Sequence, residues 1–169
     1  GGITEEKLSA VRKWKEKGNL FCVVSGRQKE FFEEIREKQI PIDYLLACNG
    51  AVIVDKDNNI VSDVRCDGAV ALPLINFIFS LGGFFASICN DKHVSVDNFA
   101  FPDAEGMRLS EIGEIPYFNQ ISTALPDFES SAGVVERVRE EFGELVNPLQ
   151  NGTCIDIVPA GMDKAQGIY

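Results

Sequence analysis

Two apolar runs that each break off into a small polar piece do most to fix what this chain can fold into. Leu20-Phe21-Cys22-Val23-Val24 runs into Ser25-Gly26-Arg27, and Tyr44-Leu45-Leu46-Ala47-Cys48 ends in Asn49-Gly50-Ala51. The first run is apolar without alternation, as a parallel strand covered on both faces should be. Between the runs, Phe31, Phe32 and Ile35 form the buried stripe of a helix that starts after Arg27 and that Pro41 closes. Strand, helix and strand in that order predict a β-α-β unit with a right-handed crossover. A third run, Cys154-Ile155-Asp156-Ile157-Val158, is followed by Lys164. In an open α/β sheet, ligands bind in the crevice beyond the carboxyl ends of the strands. A hydroxyl, an asparagine amide and a lysine ammonium gathered there suit a phosphate.

Upstream of the first run, Thr4 is a good helix N-cap, with Ile3 and Leu8 placed for a hydrophobic staple. Leu8, Val11 and Trp14 recur on one face, and Gly18 stops the helix. After Asn49 the pattern changes. Ala51 to Val54 and Ile60 to Val64 read as a hairpin, and Val70 to Leu81 as a helix ended by Gly82-Gly83. Strands are predicted at Phe84 to Cys89 and His93 to Asn98, around a turn at Asn90-Asp91-Lys92, and again at Asn119 to Leu125. The stretch from Phe101 to Pro116 has room for a short helix near Leu109 to Ile112. Ser131 to Phe142 is an amphipathic helix with Val134, Val135 and Val138 inward, and Glu144 to Gln150 a strand leading to a turn at Asn151-Gly152. The prediction is an α+β layer over residues 51–150, a mostly antiparallel sheet with helices on one face. It is inserted between residues 1–50 and 151–169, two pieces of a partial α/β core.

Composition removes several functions. The 169 residues carry a formal net charge of −10, with a pI near 4.6, whereas nucleic-acid binding needs a basic face. An anionic small substrate stays compatible, because a few local cations dominate a cleft. Five cysteines without a C-x-x-C pair read as buried free thiols in a reducing cytosol, so the expected location is cytoplasmic. With one histidine, His93, and no ligand spacing among the cysteines, no zinc site is expected. The most apolar stretch, Val70 to Phe85, is interrupted by Pro73, Asn76 and Gly82-Gly83, and falls short of the roughly 18 apolar residues of a membrane span. No membrane partner is expected and no signal peptide is visible. The chain opens on Gly1, so its natural start is expected upstream. The sequence is silent on oligomeric state.

The order of these pieces resembles the haloacid dehalogenase superfamily, and more narrowly the Cof-type phosphatases with a large α+β cap. It runs helix, apolar strand, Ser-Gly-Arg, helix, strand, Asn-Gly-Ala, hairpin, α/β insert, then Ile-Asp-Ile-Val-Pro and a lysine. The resemblance covers essentially the whole chain. It implies a Rossmann-like parallel core under an inserted cap, and hydrolysis of small phosphorylated metabolites such as sugar phosphates. Ser25 takes the position of the second motif, whose hydroxyl binds a phosphoryl oxygen. Gly26 allows close backbone approach, and Arg27 opens the following helix. Asn49 and Gly50 match the hinge pair that faces the substrate. Lys164 matches the lysine that balances charge on the phosphoryl group.

The resemblance also implies parts these residues lack. The family's Asp-x-Asp-x-Thr belongs just before Gly1, and its acidic magnesium ligands beyond Tyr169. Ala165 stands where a glycine usually follows the lysine. A complete parent is expected to use Mg²⁺ and an aspartyl-phosphate, and these residues alone to be inactive. The strands at Leu20 and Leu45 are then expected to lose a neighbour and leave an apolar edge. Competing readings are a non-catalytic module that binds a metabolite or a protein, and a phosphotransferase on the same scaffold. Plainer readings stand for other residues: Asp156 facing outward or bracing the lysine, Asp163 capping a loop, His93 exposed in a polar turn, and Phe77, Phe79, Phe84 and Phe85 in the core.

Overall fold

A computed structural model of the chain describes residues 4–90, 93–100 and 107–168. Helix α1 (Glu5–Glu16) starts at Thr4, whose side chain accepts the Lys7 N–H. The expected staple partner Ile3 lies outside the described residues. No residue of α1 is buried. Its indole instead donates from Trp14 Nε1 to the Leu20 carbonyl at 2.9 Å, closing the turn into the first strand.

Strands β1 (Cys22–Val24), β2 (Tyr44–Ala47), β3 (Val52–Asp55) and β4 (Ile60–Asp63) form a four-stranded sheet in that order. Pair β1–β2 is parallel, with Val23 opposite Leu45, and the other pairs are antiparallel. Helix α2 (Phe31–Glu37) makes the crossover and buries Phe32 and Ile35 against Leu45, Ala47, Val52 and Val54. A fully buried Phe, Ile or Leu contributes about 1.5–3 kcal/mol, enough to fix a helix of only seven residues. β1 is the edge of this sheet, and beside it Leu20 and Cys22 are exposed.

The short strands β5 (Cys66–Asp67) and β8 (Tyr117–Phe118) pair with each other. Between them come α3 (Ala71–Ser80), β6 (Phe85–Cys89) and β7 (His93–Asp97). After β8 come β9 (Gln120–Ala124), α4 (Phe128–Phe142), β10 (Val146–Asn151) and β11 (Cys154–Pro159). The second sheet is antiparallel, in the order β10-β11-β9-β6-β7. Ala86, Ile88, Ile121, Val146, Ile155 and Ile157 pack with Leu74, Ile75 and Ile78 of α3 and with Val134, Val135 and Val138 of α4. Successive side chains of a strand face opposite ways. The positions between those residues, Ser87, Gln120, Ser122 and Asp156, therefore form a polar face on the side away from the helices.

The architecture is the expected α/β class, with the parallel β-α-β unit and the helix-covered antiparallel layer both present. Two strand assignments differ from the sequence reading. The hairpin β3–β4 was expected in the insert, but hydrogen-bonds to β2 and completes the first sheet. The run at Cys154 was expected to return to the core, but pairs with β9 and β10 in the second sheet. Turn chemistry explains this: the two-residue link at Gly152-Thr153 folds β11 back on β10 as a hairpin. The boundaries at 51 and 151 therefore do not separate the sheets. The short helix near Leu109 is a single 3₁₀ turn, Leu109–Glu111, and the turn residues Asp91 and Lys92 lie outside the described residues. All five cysteines are free, as read from the sequence, but only Cys48, Cys66 and Cys89 are buried. Cys22 lies on β1, the edge strand of the first sheet among the described residues, and is exposed. No helix among the described residues is long and apolar enough to cross a membrane.

Candidate functional site: three turns against the polar face of the second sheet

The site begins where β1 and β2 end. The Ser25 amide donates to the Leu46 carbonyl at 2.8 Å, extending the parallel pairing by one bond. Two further backbone bonds bind the turns together: Cys48 N–H to the Arg27 carbonyl at 2.8 Å and Asn49 N–H to the Ser25 carbonyl at 2.9 Å. Ser25 Oγ accepts the Arg27 N–H at 3.1 Å, a local serine turn. Residues 48–50 all have positive φ: Cys48 at 49°, Asn49 at 54° and Gly50 at 97°. Asparagine tolerates this region and glycine is free in it, but for cysteine it is a strained conformation, held here by the two backbone bonds.

Lys164 arrives from the other end of the chain. It is exposed, in the turn after β11, where Asp163 Oδ1 accepts the Ala165 and Gln166 amides, each at 2.8 Å. Asp163 is thus the loop cap that the sequence suggested. Its turn lies directly against Gly50. A side chain at position 50 would put a Cβ 2.7 Å from the Asp163 carbonyl oxygen and 3.1 Å from Gly167 Cα. Gly26 is confined in the same way, since a Cβ there would lie 2.9 Å from Asp156 Oδ2 and 3.1 Å from Asn49 Nδ2. Segment 48–50 therefore touches both of the others: the 25–27 turn through backbone hydrogen bonds and the 163–167 turn through close backbone packing at Gly50.

Arg27 behaves differently from the other expected residues. Helix α2 starts at Phe31, so Arg27 sits in the preceding turn and does not open the helix. Its guanidinium pairs with Glu34 at 3.2 Å and lies 4.6 Å over the Phe31 ring. Asn49 is buried, and its amide donates to Gln120 Oε1 at 2.9 Å and to Asp156 Oδ2 at 3.1 Å. Both bonds point to the second sheet. Gln120 and Ser122 were missed in the sequence. The available signal was Gln120 and Ser122 on either side of Ile121, which puts two polar side chains on the strand face opposite a core residue. Asp156 faces these residues rather than open solvent and accepts the Ser122 hydroxyl at 2.7 Å.

An open cleft of about 380 Å³ runs between the turn after β1 and the second sheet, lined by Gly26, Gln28, Phe31, Ser87, Gln120 and Ser122 among others. At its side Gln28 Nε2 meets His93 Nδ1, and the His93 ring also reaches Ser87 and Ser95. His93 is exposed, as read from the sequence, yet joins the first sheet's loop to the second sheet. Near the cleft, the Cys48 thiol is held well above the ordinary thiol range, first by its hydrogen bond with the Cys89 thiol and then by burial. Among the described residues, no three His, Cys, Asp or Glu side chains cluster as a metal ion requires. The described residues therefore do not fit a magnesium site.

The whole chain, residues 1–169, matches the family model for haloacid dehalogenase-like hydrolases. The chain belongs to that family. Solved structures agree on the fold. A haloacid dehalogenase-like hydrolase from B. subtilis superposes with a TM-score of 0.77 at 16% identity, over 98% of this chain and 70% of that one. A protein from Streptococcus mutans gives a TM-score of 0.78 at 17% identity, over 99% and 68%. A protein from Bacteroides thetaiotaomicron, described among phosphatases of the superfamily, gives 0.72 at 17% identity, over 98% and 63%. This chain thus spans about two thirds of the length of such structures. A comparison with curated proteins gave no match.

Proposed function

We propose that these residues supply the phosphate-binding turns and the substrate-enclosing sheet of a phosphatase for small phosphorylated metabolites, sugar phosphates among them. The supporting observation is that the Asn49-Gly50 turn joins the other two, bonded to the Ser25 turn and packed through Gly50 on the Asp163 carbonyl of the Lys164 turn. On this reading Ser25 Oγ donates to a phosphoryl oxygen, and the exposed Lys164 ammonium neutralises its charge. Gly26 and Gly50 keep the backbone close enough for the turns to share one anion. Arg27, tied to Glu34, borders the cleft. Polar groups of the second sheet, Ser87 and Ser122, face the organic part of the substrate. The nucleophilic aspartate, the aspartyl-phosphate and Mg²⁺ belong on this reading to the full-length protein, with its metal ligands outside the described residues. A cytoplasmic location fits the free thiols.

The test is turnover of an aryl phosphate, with added Mg²⁺, by a full-length protein containing these residues. Loss of a preorganised donor to the reacting group costs about 100-fold or more in rate. Ser25→Ala and Lys164→Ala should each reach that loss in kcat with folding intact. Turnover unchanged in both variants overturns the proposal.

A further inference from the structure

Three side chains of the second sheet and one from the turn after β2 close a ring of hydrogen bonds behind the serine turn. Asn49 Nδ2 donates to Gln120 Oε1 at 2.9 Å and to Asp156 Oδ2 at 3.1 Å. Gln120 Nε2 donates to Ser122 Oγ at 2.8 Å, and Ser122 Oγ donates to Asp156 Oδ1 at 2.7 Å. The second proton of Gln120 goes outside the ring, to the Gly26 carbonyl at 2.9 Å. Gln120 and Asn49 are both only 2% exposed, so water cannot replace these bonds cheaply.

The orientation of the Gln120 amide is forced. Its nitrogen faces three acceptors, the Gly26 carbonyl, Ser122 Oγ and, at 3.4 Å, Asp156 Oδ1. Its oxygen faces a donor, the Asn49 amide. A flipped amide would set oxygen against the carbonyl and the carboxylate, and nitrogen against nitrogen. Gln120 thus grips one turn through a backbone carbonyl and the other through a side chain. A residue that filled space only would need neither bond.

We propose that Gln120 is a positioning residue of the phosphate site. Its buried amide holds Gly26 and Asn49 in one arrangement and ties both turns to the second sheet. The assignment of a phosphate to these turns rests on the function proposed above. The geometric claim stands on the ring itself.

The experiment compares the wild-type chain with Gln120→Leu, Gln120→Glu and Asp156→Asn by amide hydrogen exchange at pH 5 and pH 8. The reporters are the Cys48 and Asn49 amides, whose bonds to Arg27 and Ser25 join the turns. Ile121 and Ile88 in the second sheet are controls. A carboxylate at position 120 keeps the acceptor for Asn49 but offers no proton to Gly26 or Ser122. The ionisable groups facing that position are Asp156 on β11 and the Cys89 thiol opposite it on β6. Along the cleft are Arg27, Glu30 and Glu34, and His93 stands at its side on β7, opposite Cys89. Repulsion from Asp156 raises the proton affinity of the two carboxyls together, so one proton returns to the pair at acid pH.

In Gln120→Glu, reporter protection should fall about tenfold at pH 8, the equivalent of one buried hydrogen bond, and recover at pH 5. In Gln120→Leu it should fall at both pH values. In Asp156→Asn, which removes an acceptor from the ring, it should fall at both as well, and the controls should hold. Full protection in Gln120→Glu at pH 8, or an equal loss at reporters and controls independent of pH, overturns the proposal. If Gln120→Glu does not fold, Asp156→Asn decides: loss confined to the reporters supports the proposal, and none refutes it. Inorganic phosphate is then added to each sample. If it fails to shift the Gly26 and Asn49 amides of the wild-type chain, the phosphate assignment falls while the exchange pattern still decides the role of Gln120.

Discussion

Gly50→Ala should be among the most costly single-methyl changes in this chain. Two separate effects act at the position. The backbone has φ of 97°, where an L-side chain is disfavoured, and residues held in such regions cost about 1–3 kcal/mol each. The added Cβ would also lie 2.7 Å from the Asp163 carbonyl oxygen and 3.1 Å from Gly167 Cα. Both neighbours are backbone, so relief requires moving the Lys164 turn, and overpacking of this kind costs about 1–3 kcal/mol more. The sum, about 2–6 kcal/mol, is a large share of a typical domain stability of roughly 5–15 kcal/mol. Gly161 provides the control. Its φ is 78°, but a Cβ there would meet nothing within 4 Å, so Gly161→Ala carries the conformational cost alone. Urea unfolding of both variants separates the two parts. Gly50→Ala should be less stable than Gly161→Ala by about 1–3 kcal/mol. Equal destabilisation would show that the Lys164 turn does not rest on Gly50.

Other outcomes follow from single contacts. Gly26→Ala should loosen the Asn49 amide and lower stability by about 1–3 kcal/mol in urea unfolding, because its Cβ displaces the Asp156 carboxylate or the Asn49 amide. Burial pulls the Asp43 carboxyl up, but the Lys15 ammonium at 2.6 Å and the Phe21 amide outweigh it and hold the group below the usual carboxylate range. A carboxyl with a depressed folded pKa contributes stability above its unfolded pKa, near 3.9, and loses it as pH falls through the folded value. Asp43→Asn should therefore cost most at pH 7 and little at pH 2, as read by thermal unfolding across that range. In the folded chain iodoacetamide should label exposed Cys22 first and Cys48 last, by peptide mass mapping, since the Cys48 thiol is buried and its ionisation suppressed.

Much of the fold was legible because local signals agreed with one another. The β-α-β unit was carried by unbroken apolar strands around a Phe32-Ile35 stripe, and both helices of the second sheet by their apolar spacing. The strand partners were harder. Cys154–Val158 has the same apolar look in either sheet, and only the tight link at Gly152-Thr153 commits it to β10. The hairpin after Asn49 pairs with β2 through main-chain groups, which carry no side-chain label. The backbone turns of the site could be placed because serine, asparagine and glycine mark special backbone geometry. Gln120 and Ser122 could not. Polar residues at alternate strand positions usually face solvent, and here they face loops that arrive from 70 to 95 residues away. Arg27 was misplaced because three further turn residues precede the helix.

The most direct measurement is where an anion sits. Crystals of the chain soaked in tungstate, a heavy analogue of phosphate, would reveal it by anomalous scattering. A shared anion site requires one strong peak within hydrogen-bonding reach of both Ser25 Oγ and Lys164 Nζ, lost in a Ser25→Ala, Lys164→Ala double variant. A peak elsewhere on the molecule, or one that persists in the double variant, would contradict it.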